Sequence, residues 1–185
     1  MWDGDPSLVS FFQGGKARFD GIDTRIDALF DFPLYFSIRR GFAEGKPIRE
    51  VAVLLAHDYL YVNPNLLVTF LGLHDVARFM NEPGSSVAGM KLAFTFLMTA
   101  RGIPMIYYGD EIGMPGGNDP DNRRDFPGGW PGDPRNAFEA SSRTPDEQAI
   151  FEHVRRLTHL RADLEPLRRG RMVNLAVDEQ TWAFA

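Results

Sequence analysis

The chain has 185 residues, of which 44% are hydrophobic and 12% aromatic, and a formal net charge of -5 at pH 7. This composition supplies a packed core and excludes extensive disorder, and the interspersed acidic and basic residues exclude nucleic acid and anionic membranes as partners. Cysteine is absent, which excludes disulfides and thiolate metal sites, and neither a membrane span nor a signal peptide is expected from these residues.

Helical and extended patterns alternate along the first half of the chain. A short helix is predicted after Asp5-Pro6, and an extended segment over residues 28–32. Two further helices are predicted from Pro33 to Phe42 and from Pro47 onward. The apolar run from Leu66 to Leu71 is then typical of a strand covered on both sides.

The second half continues the alternation. Ser85 and Ser86 can cap a helix whose apolar residues recur at three- and four-residue steps, and Ile103 to Tyr108 is predicted as the next buried strand. A long polar loop follows over residues 110–142, and such loops are usually functional. The segment 144–147 has capping-box spacing and predicts a helix that Gly170 ends, with a buried stripe of Ile150, Val154, Leu157 and Leu160. Residues 172–185 alternate like strands of a small β-domain.

This order of elements indicates parallel strands joined by right-handed crossovers. Periodicity alone leaves a doubly wound sheet and part of a barrel equally open. Carboxylates follow the strand directly in the two clearest units, which favours a barrel, because barrel active sites lie at the carboxyl ends of strands. A complete barrel needs about 250 residues, so the three units here form an incomplete one.

Two polar groups carry the predicted chemistry. His74 and Asp75 end a strand and can supply a hydrogen-bond donor and a carboxylate to one small site, or they can simply satisfy each other. Asp119 and Arg123 can grip vicinal hydroxyls, the carboxylate accepting and the guanidinium donating, although a surface ion pair would have the same spacing. The loop lacks the glycine and distal glutamate of a calcium-binding EF-hand, and no metal site is predicted.

The segments Gly102 to Glu111 and Gly116 to Arg123 together resemble the α-amylase family, glycoside hydrolase family 13. The first is similar to strand eight of the family's (β/α)8 TIM barrel. The second is similar to the loop whose Asp and Arg hold glucose units on the non-reducing side. The resemblance therefore implies that Asp119 and Arg123 bind substrate.

His74-Asp75 resembles the pair that follows strand seven of the family barrel. There the histidine binds sugar hydroxyls and the aspartate stabilises the transition state, which implies catalytic roles for His74 and Asp75. Leu73 departs from the family's usual asparagine. The first five residues, Met1 to Asp5, resemble the segment after the strand-five acid in the cyclomaltodextrinase and neopullulanase branch, which implies substrate binding by Trp2.

The implied fold is α/β, the carboxy-terminal portion of a TIM barrel. Residues 1–169 would supply about strands six to eight of the catalytic barrel, and residues 170–185 would begin a β-rich domain that stays incomplete. Such a half-barrel exposes unpaired strand edges. We therefore expect either the missing amino-terminal half of the barrel or another chain as a partner that covers these edges.

The implied function is retaining hydrolysis of α-glucosidic bonds in starch-like α-glucans or maltooligosaccharides by the parent enzyme. Retention requires a nucleophile and a general acid about 5 Å apart. The family places them after strands four and five, so this chain alone is expected to lack both and to be inactive. A glucosyl transferase or isomerase of the same family stays open, as does a non-catalytic α-glucan-binding protein that also uses Trp130.

No cofactor is expected in this chain. The resemblance allows calcium in the complete enzyme, because the family's usual calcium ligands lie mainly in the half of the barrel that is absent here. These residues predict neither the cellular compartment nor whether the enzyme prefers α-1,4 or α-1,6 bonds.

Overall fold

The computed structural model of the chain describes residues 2–17 and 21–185 and contains a parallel sheet of three strands. The strands are β1 (Leu29–Phe30), β2 (Leu67–Phe70) and β3 (Ile103–Met105), in that spatial order. Leu29 pairs with Leu67, and Val68 pairs with both Phe30 and Ile103. The predicted parallel pairing of consecutive strands is therefore confirmed.

Helices connect the strands and cover the sheet. They are α1 (Pro6–Phe11), α2 (Phe32–Phe42), α3 (Arg49–Leu55), α4 (Val87–Thr99), α5 (Pro145–Asp163) and α6 (Glu165–Arg169). The side chain of Ser86 accepts the backbone N–H of Gly89 and so begins α4. Thr144 and Glu147 form the predicted reciprocal capping box at the start of α5.

The main core lies where α2, α4 and α5 meet above the end of β2. Its fully buried side chains come from all three helices and from the segment after the strand, among them Leu34, Ile38, Leu71, Met90, Phe94, Leu97 and Ile150. Complete burial of a large apolar side chain stabilises the folded state by roughly 1.5–3 kcal/mol. The core therefore fixes the carboxyl end of β2, from which the candidate site extends.

Two expectations about the helix that begins after Thr144 were wrong. The helix does not continue to Gly170: α5 ends at Asp163, Leu164 is extended, and the separate α6 is the helix that ends at Gly170. Pro166 explains the break, because it has no N–H with which to continue the hydrogen bonds of α5. Leu160 is exposed rather than buried, whereas Ile150, Val154 and Leu157 are buried as predicted.

Near the end of α5 the buried residue is Arg161 instead of Leu160. Its guanidinium donates to the carbonyl oxygens of Met98, Ala100 and Gly102, at 2.8, 3.1 and 2.8 Å. These carbonyls belong to the last turn of α4 and to the segment that joins it to β3. The helix is thus anchored to main chain through an arginine, which explains why a charged residue is buried at this position.

A second buried arginine joins all three βα units. Arg101, just before β3, donates Nε and Nη2 to the Asp58 carboxylate at 2.8 and 2.6 Å, and Nη1 to Asp31. Asp31 follows β1 and also accepts the N–H of Leu34 to begin α2. One guanidinium therefore links the segments that flank β1, β2 and β3.

The last residues form an antiparallel hairpin of β4 (Asn174–Val177) and β5 (Trp182–Phe184), as the alternating pattern predicted. The rings of Trp182 and Phe184 lie 5.4 and 6.2 Å from the ring of Phe96 on α4, while β4 is exposed. The strand expected from Ile103 to Tyr108 ends at Met105. Among the described residues no helix is long and apolar enough to cross a membrane.

Candidate active-site cleft

The cleft lies at the carboxyl ends of β2 and β3. Asp75 borders two concavities there, with volumes of about 250 and 560 Å³. Trp2 lines both of them together with Asp75. The smaller one has mainly apolar and aromatic walls, from Phe30, Phe32, Leu73, Met105 and Tyr107. An apolar wall with a carboxylate at its rim suits a ligand that has both carbon faces and hydroxyl groups.

The four polar residues predicted to form the site lie together. Arg123 Nη2 is 3.4 Å from Asp75 Oδ1, and Arg123 Nε is 2.6 Å from Asp119 Oδ1. His74 Nε2 lies 3.3 Å from the same oxygen of Asp75. All four side chains are partly or largely exposed. A ligand could therefore reach part of each side chain.

Trp2 lies against the same cleft. Its ring stacks on Phe32 with a centroid distance of 5.7 Å and an interplanar angle of 28°, and more than half of its surface stays exposed. It therefore presents one ring face at the edge of both concavities. Met1 lies outside the described residues. Trp130 is 71% exposed in the long loop and lines neither concavity.

Leu73, which replaces the family's asparagine, is buried in an apolar cluster with Phe32, Tyr35 and Phe70. It therefore contributes packing rather than a side-chain hydrogen bond beside His74. The hydrogen bonds come from another part of the chain. Asn122 is completely buried, and its Nδ2 donates to the carbonyl oxygens of His74 and Val76, at 2.8 and 2.9 Å.

The turn that carries Asn122 is itself tightly constrained. The Asp119–Pro120 peptide bond is cis, and Asp121 to Arg123 form one 3-10 turn. Asp121 accepts two hydrogen bonds from Arg124 and one from the N–H of Gly117. The bonds from Arg124, followed by the one from Gly117, lower the pKa of Asp121 to about 2.

Arg78 is a second residue that sequence reasoning missed. It is fully buried and donates Nε to the carbonyl oxygen of Asn122 at 2.9 Å, and Nη1 to the carbonyl oxygen of Tyr108 at 2.7 Å. Its guanidinium carbon lies 4.6 and 4.7 Å from the ring centroids of Tyr107 and Tyr108. Arg78 therefore joins the turn of Asn122 to the segment that follows β3.

Arg78 forms a buried ion pair with Asp110. Arg78 Nη1 lies 3.1 Å from Asp110 Oδ1, and both side chains are buried. Burial raises the pKa of Asp110 to about 7, an effect that the charge of Arg78 opposes. A Cβ atom on Gly72 would lie 2.9 Å from Asp110 Oδ2, so a larger residue at this position would have to displace the carboxylate.

The carboxylates that line the two concavities are Glu44, Asp75 and Glu82 among the residues described, and Glu82 is already paired with Arg39. Asp75 has the basic groups of His74 and Arg123 beside it. No group of three or more His, Asp or Glu residues that could hold a metal occurs in the described ranges. The cleft thus combines polar groups that can bind hydroxyls with the carboxylate of Asp75, beside which the basic side chains of His74 and Arg123 lie.

Comparison with known proteins identifies the family of the chain. The family model for the α-amylase catalytic domain matches residues 50–170, which is more than half of the chain. The chain therefore belongs to the α-amylase family. Relatives in this family include a cyclomaltodextrinase and a maltogenic alpha-amylase.

The chain is similar to several individual members of the family. The chain is 36% identical over 161 residues to a cyclomaltodextrinase of Geobacillus thermopakistaniensis, which covers 84% of this chain and 25% of the relative. It is 38% identical over 165 residues to neopullulanase 2 of Thermoactinomyces vulgaris, covering 87% and 26%. Identity is also 38% to a cyclomaltodextrin glucanotransferase of Bacillus sp. (strain 38-2), over 102 residues that cover 54% of this chain and 14% of the relative.

Solved structures agree on the fold. The α-amylase from Geobacillus thermoleovorans, complexed with acarbose, superposes with a TM-score of 0.75 at 29% identity, covering all of this chain and 37% of that one. The three-stranded sheet is therefore part of a TIM barrel. The chain spans about a quarter of the length of the cyclomaltodextrinase and the neopullulanase.

Proposed function

We propose that the chain is the carboxy-terminal portion of a retaining α-glucan hydrolase. In this proposal, residues 1–169 contribute strands six to eight of the barrel, and residues 170–185 begin a β-rich domain. The support is the order of the elements: three consecutive parallel strands, then α5 and α6, then a hairpin that packs through Trp182 and Phe184 on the outside of α4.

Asp75 is the proposed transition-state stabiliser. Cleavage of a glycosidic bond passes through an oxocarbenium-like state, and a fixed carboxylate favours the positive charge that develops there. His74 is proposed to bind a hydroxyl of the sugar at the cleavage point. The nucleophile and the general acid would come from the part of the barrel outside this chain, so the chain alone is expected to have no turnover.

Asp119, Arg123 and Trp2 are the proposed substrate-binding residues. The carboxylate accepts from sugar hydroxyls, the guanidinium donates to them, and the exposed ring face of Trp2 packs on the carbon face of a glucosyl unit. The single observation that carries the proposal is the approach of Arg123 to both carboxylates, at 2.6 Å from Asp119 and 3.4 Å from Asp75. This contact joins the recognition pair to the catalytic pair.

The proposed substrates are starch-like α-glucans and maltooligosaccharides. We assign no cofactor to this chain, and we place any calcium of the complete enzyme outside it. The proposed partner is the amino-terminal half of the barrel, or another chain that covers the same edges. Phe30 on β1 and Ile103 on β3 are about half exposed at the two sides of the sheet, which is where such a partner would pair.

The test is Asp75→Asn in the complete enzyme. Removing one charge that acts in the transition state should lower kcat on maltotriose by about 10²–10³-fold and leave KM nearly unchanged. Asp146→Asn, in the exposed first turn of α5, is the matched control and should keep full activity. Retention of more than about a third of kcat in the Asp75 variant would contradict the assignment.

Glucosyl transfer is the second candidate, and the similarity to a cyclomaltodextrin glucanotransferase favours it. A transferase keeps the same carboxylates and excludes water from the covalent intermediate. The two reactions differ in products from maltotriose: hydrolysis releases one new reducing end for each bond cleaved, whereas transfer gives longer oligosaccharides without a net gain. Chromatography of the products therefore separates them.

A further inference from the structure

We propose that Asn122 is a positioning residue that holds the main chain on both sides of Asp75 and thereby fixes where its carboxylate stands. This inference rests on the proposed function, in which Asp75 stabilises the transition state. It concerns a side chain that touches no substrate and that neither the composition nor the spacing of the sequence indicates.

The contacts of the Asn122 amide are specific. Its Nδ2 donates one hydrogen to the carbonyl oxygen of His74 and the other to that of Val76, the residues directly before and after Asp75. Because both neighbours are acceptors, only the amino side of the amide can face them. Arg123 Nε adds a further donor to the His74 carbonyl at 2.9 Å. The peptide segment that carries Asp75 is therefore held by three hydrogen bonds from one turn.

Asn122 is itself immobile. Its own carbonyl oxygen accepts Nε of the buried Arg78, whose backbone N–H in turn donates to the carbonyl of Gly116 at 2.9 Å. A Cβ atom on Gly116 would come within 2.9 Å of Asn122 Cα, so the two stretches of loop are in direct contact. The backbone that carries the Asn122 amide is therefore held by packing and hydrogen bonds.

The carboxylate of Asp75 needs such an anchor. Its side-chain neighbours, His74 and Arg123, lie at 3.3 and 3.4 Å and are about half exposed, so they restrain it only weakly. Leu73 provides no side-chain hydrogen bond. A displacement of about 1 Å at a reacting group can cost about 10²-fold in rate. The position of the Asp75 carboxylate is therefore set mainly by the backbone of residues 74–76, to which Asn122 donates its hydrogen bonds.

Gln13 offers a matched comparison. It is also a buried amide, and its Nε2 donates to two backbone carbonyls, those of Asp27 and Asn63, at 3.2 and 2.8 Å. Asn63 precedes β2, whereas Asp75 follows it, so Gln13 acts at the opposite end of the same strand. A purely structural role predicts the same behaviour for both residues.

The experiment uses the complete enzyme, with maltotriose as substrate, at a temperature where all variants stay folded. Asn122→Asp keeps the size of the side chain and removes its donors, and Asn122→Ala avoids placing a buried carboxylate next to carbonyl oxygens. We expect both to lower kcat by about 100-fold with KM changed by less than about threefold. Gln13→Ala should lower Tm and leave kcat unchanged.

Combination with Asp75→Asn separates positioning from a general loss of structure. If Asn122 acts through Asp75, the double variant Asn122→Ala with Asp75→Asn should be no slower than Asp75→Asn alone. An additive loss, or a loss of kcat that follows Tm equally in the Asn122 and Gln13 variants, overturns the inference. An inactive wild-type enzyme instead overturns the proposed function, and the inference with it.

Discussion

Replacing Arg101 with methionine should destabilise the complete enzyme by about 3–5 kcal/mol, because it leaves a buried carboxylate without its cation. The Arg101 side chain is 6% exposed and that of Asp31 is 1% exposed, so water cannot take the place of the guanidinium there. Methionine keeps most of the stem that packs in this space. The change therefore isolates the loss of the charge and its hydrogen bonds.

The magnitude follows from the two carboxylates that Arg101 contacts. Asp58 is 24% exposed, so solvent can satisfy part of it after the substitution. Asp31 keeps only the hydrogen bond from the N–H of Leu34. Most of the expected cost therefore arises at Asp31, where burial raises the pKa of the carboxyl even with the opposing charge of Arg101 present.

The pH dependence gives this prediction its sign. Loss of the guanidinium raises the pKa of Asp31 further, and a raised carboxyl pKa contributes stability at low pH that is lost as the pH rises. The deficit of Arg101→Met relative to wild type should therefore be larger at neutral pH than in the ordinary carboxyl range, as measured by denaturant unfolding.

Arg155→Met is the control, because Arg155 pairs with Glu152 on the exposed face of α5 with side-chain exposures of 55% and 42%. It should change stability by less than about 0.5 kcal/mol at either pH. Equal effects of the two substitutions, or a deficit that shrinks as the pH rises, would refute the reasoning.

Three further predictions concern the cleft and its supports. Arg123→Lys should lower kcat/KM for maltooligosaccharides about tenfold, because an ammonium cannot serve two carboxylates with the geometry of a planar guanidinium. Thr144→Ala should cost about 1 kcal/mol in unfolding free energy through loss of the capping box, whereas Thr144→Ser should not. Wild type should lose stability as the pH rises from the ordinary carboxyl range towards 7, since burial raises the pKa of Asp110 to about 7. Asp110→Asn should reduce this slope and leave the part that arises from Asp31, whose pKa is also raised by burial.

Each of these has a clear contrary result. An unchanged kcat/KM in Arg123→Lys would mean that the cleft needs only a positive charge at this position. Equal loss in the alanine and serine variants of Thr144 would mean that the hydroxyl does not act as a cap. A pH slope that is unchanged in Asp110→Asn would mean that Asp110 does not contribute to it.

Local chemistry made several elements predictable. The start of α5 follows from Thr144 and Glu147, whose side chains bond backbone groups only three residues away. Ser86 similarly accepts from Gly89. Such contacts are encoded within a few residues, so the sequence predicts them without knowledge of the fold. The break at Pro166 has the same kind of local signal, and the prediction of one continuous helix overlooked it.

Long-range contacts were not predictable in this way. Arg161 is buried and Leu160 exposed because the facing surface is a row of carbonyl oxygens 59–63 residues away in the chain. Helical periodicity reports which residues are apolar, but not what lies opposite them. The exposure of these two neighbouring residues therefore depends on tertiary structure alone.

The candidate site shows the same division. Resemblance to the family indicated His74, Asp75, Asp119 and Arg123, and the structure brings these four together, while their roles stay predictions. Asn122 was not indicated, nor was Arg78. Both act mainly on main-chain carbonyls, which every residue has, so no pattern of side chains in the sequence reveals their partners.

Contacts of Arg124 close the turn of residues 121–123 and separate this turn from the rest of the long loop. The hydroxyl of Tyr108 donates to the carbonyl oxygen of Arg124 at 2.7 Å, and Arg124 is fastened back to Asp121. Residues 125–142 therefore leave from a fixed point. Exchanges at exposed positions of that stretch, such as Trp130, can therefore alter the surface of the protein while the turn that carries Arg123 keeps its anchoring contacts.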